Sequence, residues 1–226
     1  MPFEINKLDQ SDSIKRFVEK DSDEELSPMS PPDAYAPPAL EDMNVDEMDE
    51  VLRRFIEEHN NCLKKVDSFE QALNRIREEG FGAHKEVSNA LSDFFEFVDT
   101  NITKHNIKEE KILFPLLQER YFETGEHSQG SVQKTAVDML EDDHVKFMQL
   151  AGITFTLLGL AGRLPDQSSR LVVLDFALEQ GKMLAEMLRL HIFREDKIVF
   201  PFAQKNLSPE EFSKIKTRMD EFEKRG

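Results

Sequence analysis

The chain has 226 residues, 39% of them hydrophobic, which suits one domain with extensions. Its 45 Asp and Glu against 29 Lys and Arg give a formal net charge of -16, which repels nucleic acid phosphates and anionic lipid, so neither partner is expected. The longest mostly apolar stretch, residues 150–162, is too short to cross a bilayer, the N-terminus lacks a signal pattern, and Cys62 is the single cysteine, so the sequence predicts a cytoplasmic protein.

Residues 1–43 differ in composition from the rest of the chain. Six of the ten prolines lie there, among acidic residues and serines. Such a composition is typical of an extended, solvated segment without a core of its own. We therefore expect an acidic, Pro-rich N-terminal extension, and its charge makes it a candidate site for a basic protein partner.

Residues 44–226 carry helical periodicity and form the predicted second region, a helical domain with a C-terminal helical segment. Apolar and ligand-type residues recur every three or four positions, which places them on one helix face. The clearest stripe comprises Leu91, Phe94, Val98, Ile102, His105, Glu109 and Ile112. Breaks rich in helix-ending residues fall at 80–82, 124–130 and 162–168. Four helices joined by short loops predict an all-α, antiparallel up-down four-helix bundle.

An internal repeat lies in the second and fourth predicted helices. HNIKEEKILFP begins at His105, and HIFREDKIVFP begins at His191. An earlier histidine precedes each copy and follows an acidic run, His59 in the first half and His144 in the second. The Phe-Pro pair that closes each copy is predicted to mark a helix end or kink.

The spacing of these residues predicts that they meet. The midpoints between successive histidines fall in the predicted loops, so in antiparallel hairpins all four histidines share one layer. Glu109 and Glu195 each follow a histidine by four residues and lie on the same helix face. Burying these groups without counter-charge costs several kcal/mol per ion. The layer therefore predicts a dinuclear metal site that suits iron or manganese better than zinc.

Other residues of metal-binding types have different expected roles. The acids beside the predicted ligands point about 100° away on their helices, so we expect them to be solvated or to touch the ligands from outside. These acids are Glu58, Glu110, Asp143 and Asp196. Replacing the two that directly follow the glutamates, Glu110 and Asp196, is expected to cost under about 0.5 kcal/mol. Cys62 is expected to be a small buried hydrophobe. His84 and His127 are expected on the surface.

A ferritin-like oxidase is the main alternative class of helical di-metal protein. Its ligand unit is Glu-x-x-His, which is needed twice. Glu141 precedes His144 at that spacing, but Ile56 occupies the equivalent position before His59. The sequence therefore argues against the ferritin-like class.

The spaced histidines and the two His-x-x-x-Glu units resemble the hemerythrin-like HHE cation-binding family over residues 44 to 204. The resemblance implies two non-haem iron ions with an oxo or hydroxo bridge, manganese being possible. It implies the bridging role of the two glutamates. The implied metal ligands are His59, His105, Glu109, His144, His191 and Glu195.

The same resemblance implies a protein that binds, senses or reduces O2, NO or peroxide. Oxygen-carrying members have a second histidine where Met148 stands, which argues against oxygen transport. A set of four histidines and two glutamates is similar to di-iron proteins that respond to nitric oxide and aid iron-sulfur cluster repair. Their cysteine-bearing N-terminal segment has no counterpart here. A metal-stabilised interaction or regulatory protein is the alternative, and enzymatic activity is left open.

Overall fold

Four long helical runs and one shorter helix make up most of the described chain, which comprises residues 43–80, 85–130 and 132–225 of the computed structural model. The runs are α1 (Glu50–Glu79), α2 (85–124), α3 (Ala136–Ala161), α4 (167–206) and α5 (Pro209–Arg225). No strand occurs in the described ranges, so the predicted all-helical class is confirmed. Residues 1–42 of the predicted extension, and His84, lie outside these ranges.

Polar side chains and glycines set the helix boundaries. The Asp49 carboxylate accepts from the Val51 amide at 2.9 Å and caps α1, and Gly80 ends this helix with φ 81°. Thr135 and Asp138 form a capping box at the start of α3. The loops after α2 and α3 coincide with two of the predicted breaks. Local sequence thus determines where the long helices begin and end.

Wide helical turns interrupt α2 and α4. Hydrogen bonds of the π type close them at Val98–Ile102 and Glu109–Leu113 in α2 and at Glu195–Val199 in α4. The prolines of the two repeat copies follow directly, and both runs continue beyond them. Of the two predicted roles, a helix end or a kink, the helix end is therefore excluded. Pro115 cannot donate to the carbonyl of Lys111, and that oxygen accepts from the Arg218 guanidinium of α5 at 2.6 Å.

Two apolar clusters lie on either side of a polar layer. One joins the C-terminal halves of α1 and α3 to the N-terminal halves of α2 and α4. The other joins the opposite halves and packs against α5. Successive runs therefore pass through the two clusters in opposite order. Each fully buried side chain, such as Phe69 stacked on Phe94 with centroids 3.9 Å apart, contributes about 1.5–3 kcal/mol.

Gly181 marks the closest approach of α4 to α1 and α3. A Cβ at this position lies 2.6 Å from Leu73 Cδ1 and 3.3 Å from Thr154 Cγ2. We expect Gly181→Val to destabilise the protein by about 1–3 kcal/mol because it overpacks this contact. Gly152 has no atom within 4 Å of such a Cβ, so Gly152→Val is the matched control, expected within about 0.5 kcal/mol of the parent protein. Urea unfolding measures both, and equal effects would contradict this packing.

Helix α3 is longer than residues 150–162, the apolar stretch that the sequence analysis considered as a possible membrane segment. This helix is long and apolar enough to cross a membrane, with a mean hydropathy of 1.2 in its best window, whereas residues 150–162 alone are not. Core helices of soluble proteins pass the same test, and 33% of that window is buried. Length and composition therefore do not assign α3 to a membrane.

Candidate metal centre

The six predicted ligands meet in the polar layer between the apolar clusters. They form two groups in which donor atoms of four residues lie within 4.8 Å of one another. One group is His59, His105, Glu109 and Glu195, and the other is Glu109, His144, His191 and Glu195. Both glutamates belong to both groups. The residues therefore have the arrangement of a dinuclear site with two shared carboxylates.

Imidazole nitrogens converge in pairs on the glutamates. The Nε2 atoms of His59 and His105 lie 3.1 Å apart, and those of His144 and His191 lie 3.2 Å apart. Glu109 extends Oε1 to within 3.3 Å of His105 Nε2 and Oε2 to within 3.4 Å of His144 Nε2. One carboxylate thus faces both histidine pairs, as a bridging ligand must.

The buried glutamates lack ordinary hydrogen-bond partners. Glu109 and Glu195 are both 0% exposed. Within the described chain, none of their four carboxylate oxygens has a hydrogen-bond partner. A buried, unsatisfied carboxylate is strongly unfavourable, and a coordinated cation removes that cost. Oxygen and imidazole donors together suit iron, so this donor set fits a pair of such ions.

Each histidine turns its outer nitrogen, Nδ1, toward a carboxylate on a neighbouring helix. The Nδ1 to carboxylate distances are His59–Asp196 2.7 Å, His105–Glu58 2.7 Å, His144–Glu110 2.9 Å and His191–Asp143 3.8 Å. We call these four acids the carboxylate ring, because their contacts link α1 to α4, α4 to α3, α3 to α2 and α2 to α1. In the three short pairs, Nδ1–H donates and leaves the Nε2 lone pair directed into the layer.

The carboxylate ring decides between the two roles expected of these acids, solvated side chains or groups that touch the ligands from outside. The helix rotation of 100° does carry them away from the centre, but the histidine of the adjacent helix lies there. Glu110 and Asp196 remain 31% and 25% exposed while contacting histidines. Their predicted contact from outside the ligands is present, and the small predicted effect of replacing them no longer follows.

Two basic residues of the repeat form ion pairs with the other two acids of the carboxylate ring, Glu58 and Asp143. Lys108, which is 4% exposed, contacts Glu58, and Arg194 donates to Asp143 at 2.5 Å. Both cations occupy the fourth position of their repeat copy, and the acids Glu110 and Asp196 occupy the sixth. Sequence reasoning missed these roles, although equal charge at equivalent positions of HNIKEE and HIFRED was the available signal.

The acids dominate the electrostatics of the histidines. Burial by itself lowers the pKa of His59, but the hydrogen bond to Asp196 and the negative charge of the nearby Glu195 outweigh burial and raise this pKa to about 9. Burial likewise lowers the pKa of His105, and the charge of Glu109 together with a hydrogen bond to Glu58 raises it to about 10. Without metal, the layer therefore holds protons at neutral pH, and metal binding must displace them.

The remaining candidates lie away from the donor groups or lack the required chemistry. Cys62 is buried, and burial raises its thiol pKa to about 12, which disfavours the thiolate that binds metals. This agrees with its expected role as a buried hydrophobe. His127 lies in the loop after α2, with its ring 5.7 Å from that of Phe122.

An all-helical fold with buried His and Glu donors around two adjoining positions defines a helical metal-binding protein. The family model described as the Hemerythrin HHE cation binding domain matches residues 51–203. The chain therefore belongs to the hemerythrin HHE cation-binding family, whose domain binds metal ions, typically iron. None of the curated proteins compared with the chain matches it. The match ends before α5.

Proposed function

We propose that this chain is a non-haem di-iron protein that binds a small ligand, O2, NO or peroxide, and senses or reduces it. The observation that carries the proposal is the pair of four-donor groups sharing Glu109 and Glu195, whose buried oxygens lack hydrogen-bond partners among the described residues. His59 and His105 would hold one ion, and the histidines of the other group would hold the second.

We infer that α1 to α4 form an antiparallel up-down four-helix bundle around this centre. The runs pass through the two apolar clusters in alternating order, and short connections join α3 to α4. Both features support antiparallel neighbours. The bundle would place one ligand-bearing segment of every run at the same height.

The donor count supports ligand binding rather than a purely structural metal. Each position receives two imidazoles and one oxygen from each shared glutamate, which is four protein donors. Iron with nitrogen and oxygen ligands commonly takes five or six, so coordination positions are left for a small molecule. When bound, the iron pair supplies electrons for reduction of that molecule. The chain itself orients the imidazoles through the carboxylate ring and flanks the donor layer with the two apolar clusters.

Met148 of α3 bears on which small ligand the proposed centre binds. Met148 stands where oxygen carriers have a further histidine, and its partly buried side chain packs against the first apolar cluster. We therefore do not propose oxygen transport. The set of four histidines and two glutamates favours a response to nitric oxide, with iron-sulfur cluster repair as the second candidate. A cytoplasmic location and a basic partner for residues 1–43 remain predictions from composition.

Iron analysis tests the proposed function directly. Protein purified from iron-replete cells is expected to contain about two iron ions per chain, because the donors form two adjoining groups. Near-ultraviolet absorption that changes on addition of NO is expected from the same sample. An iron content near zero or near one ion per chain, also after anaerobic loading with iron, would contradict the di-iron proposal.

A further inference from the structure

A cavity of about 640 Å³ adjoins one half of the centre. His59, His105 and His191 line it, whereas His144 does not, so it opens mainly onto the first donor group. A diatomic ligand needs little more room than a water molecule, about 30 Å³. Pockets for organic ligands are typically about 300–1,000 Å³. The cavity is therefore sized for a larger molecule than O2 or NO.

The inner wall of the cavity is apolar. Side chains of Phe97 and Ile102 from α2 line it together with Phe147, Leu188 and Ile192 from α3 and α4. All of them except Phe97 are buried members of the first apolar cluster, with at most 6% exposure. Such a wall favours a hydrocarbon or aromatic body over a hydrated ion.

Lysines make the cavity locally positive. Four of them line it, Lys64, Lys65, Lys104 and Lys108, against the two acids Glu58 and Glu223. Both acids already contact Lys108. The whole chain has a net charge of -16, so this excess of cations is opposite in sign to its surroundings. A cleft lined by one sign of charge concentrates ligands of the other sign.

The backbone of the cavity wall is also specialised. The π turn at Val98–Ile102 contributes Thr100, Asn101 and Ile102 to the lining. The equivalent stretch of the second repeat half, residues 184–188, is ordinary α-helix within α4. Wide turns of this kind are frequent at functional sites. The first half of the chain thus carries a feature that the metal centre itself does not require.

We propose that this cavity binds a small organic carboxylate with an apolar body. The lysines pair with the carboxylate, and the apolar wall covers the body. Binding needs no metal, so it is measurable on metal-free protein. Failure of the di-iron proposal and failure of this one are therefore distinguishable.

Calorimetric titration of the metal-free and iron-loaded full-length chain tests the proposal with three probes, 4-hydroxybenzoate, 4-hydroxycinnamate and 10-hydroxydecanoate. At least one is expected to bind saturably at one site. For 4-hydroxycinnamate, the neutral 4-hydroxycinnamyl alcohol is expected to bind about tenfold more weakly, because it cannot pair with the lysines. No saturable binding by any of the three acids, or equal affinity for the neutral alcohol, overturns the proposal.

Variants assign the binding to this cavity. Lys64→Gln combined with Lys65→Gln is expected to weaken binding of the best acid about tenfold, because it removes two cations of the rim. The matched control, Lys205→Gln with Lys214→Gln, removes two lysines outside the cavity and should leave affinity unchanged. Equal effects of the two pairs contradict the assignment.

Discussion

Replacing Glu109 or Glu195 with alanine is expected to reduce the iron content from about two ions per chain to one or none. The Glu109 carboxylate faces His105 with one oxygen and His144 with the other, so its loss removes a ligand from both positions. It also removes a negative charge from a core of low dielectric constant, where two adjacent cations repel each other strongly. Iron quantified after anaerobic loading and gel filtration measures the change.

Exposed glutamates on the same helical runs provide the matched controls for these variants. Glu119 lies on α2 and Glu179 on α4, both exposed. Glu119→Ala and Glu179→Ala should retain the parent iron content, because they change net charge equally but contact no donor group. Full iron loading of Glu109→Ala would show that this carboxylate is not shared between two metal positions.

Removing one member of the carboxylate ring should weaken iron binding without abolishing it. We expect Glu110→Ala or Asp196→Ala to lower the affinity about 10–100-fold, the usual cost of losing a partner that orients a ligating histidine. That is about 1.4–2.8 kcal/mol, well above the effect expected of a solvated acid. Competition with a calibrated chelator measures the affinity.

The adjacent acid Asp142 supplies the control for the carboxylate ring. It is exposed and lies next to Asp143 on α3, so Asp142→Ala changes the charge but breaks no contact with a histidine. Glu110→Gln keeps an oxygen that accepts from His144 Nδ1 and should fall between the alanine variant and the parent. If Glu110→Ala and Asp142→Ala had equal affinities, the orienting role of Glu110 would be wrong.

Sequence spacing was sufficient to bring the six candidate ligands together. Equal distances from the loops place His59 and His105 at one height, and a four-residue step places Glu109 beside His105 on the same face. These relations depend only on helix geometry and on where the loops fall. The structure places all six residues in two adjoining groups.

The contacts of the carboxylate ring could not be predicted from the residue pattern of a single helix. Whether Glu110 reaches solvent or His144 depends on how α2 is rotated against α3, and both outcomes have the same sequence period. The wide turn at Glu109–Leu113 was hidden for a related reason. A stripe with steps of three and four residues does not reveal a local hydrogen bond to the fifth residue, so the sequence alone predicts a helix end or kink at Pro115.

The carboxylate ring also has a consequence for how the two repeat halves depend on each other. His59 in the first half contacts Asp196 in the second half, and His144 in the second half contacts Glu110 in the first half. The chain is thus organised like an isologous dimer of helix pairs joined by a linker, in which each half gives and receives the same kind of contact. A true homodimer must keep both copies identical. Fusion removes that constraint, so one copy is free to acquire the π turn at Val98–Ile102 and its cavity while the other remains a regular helix.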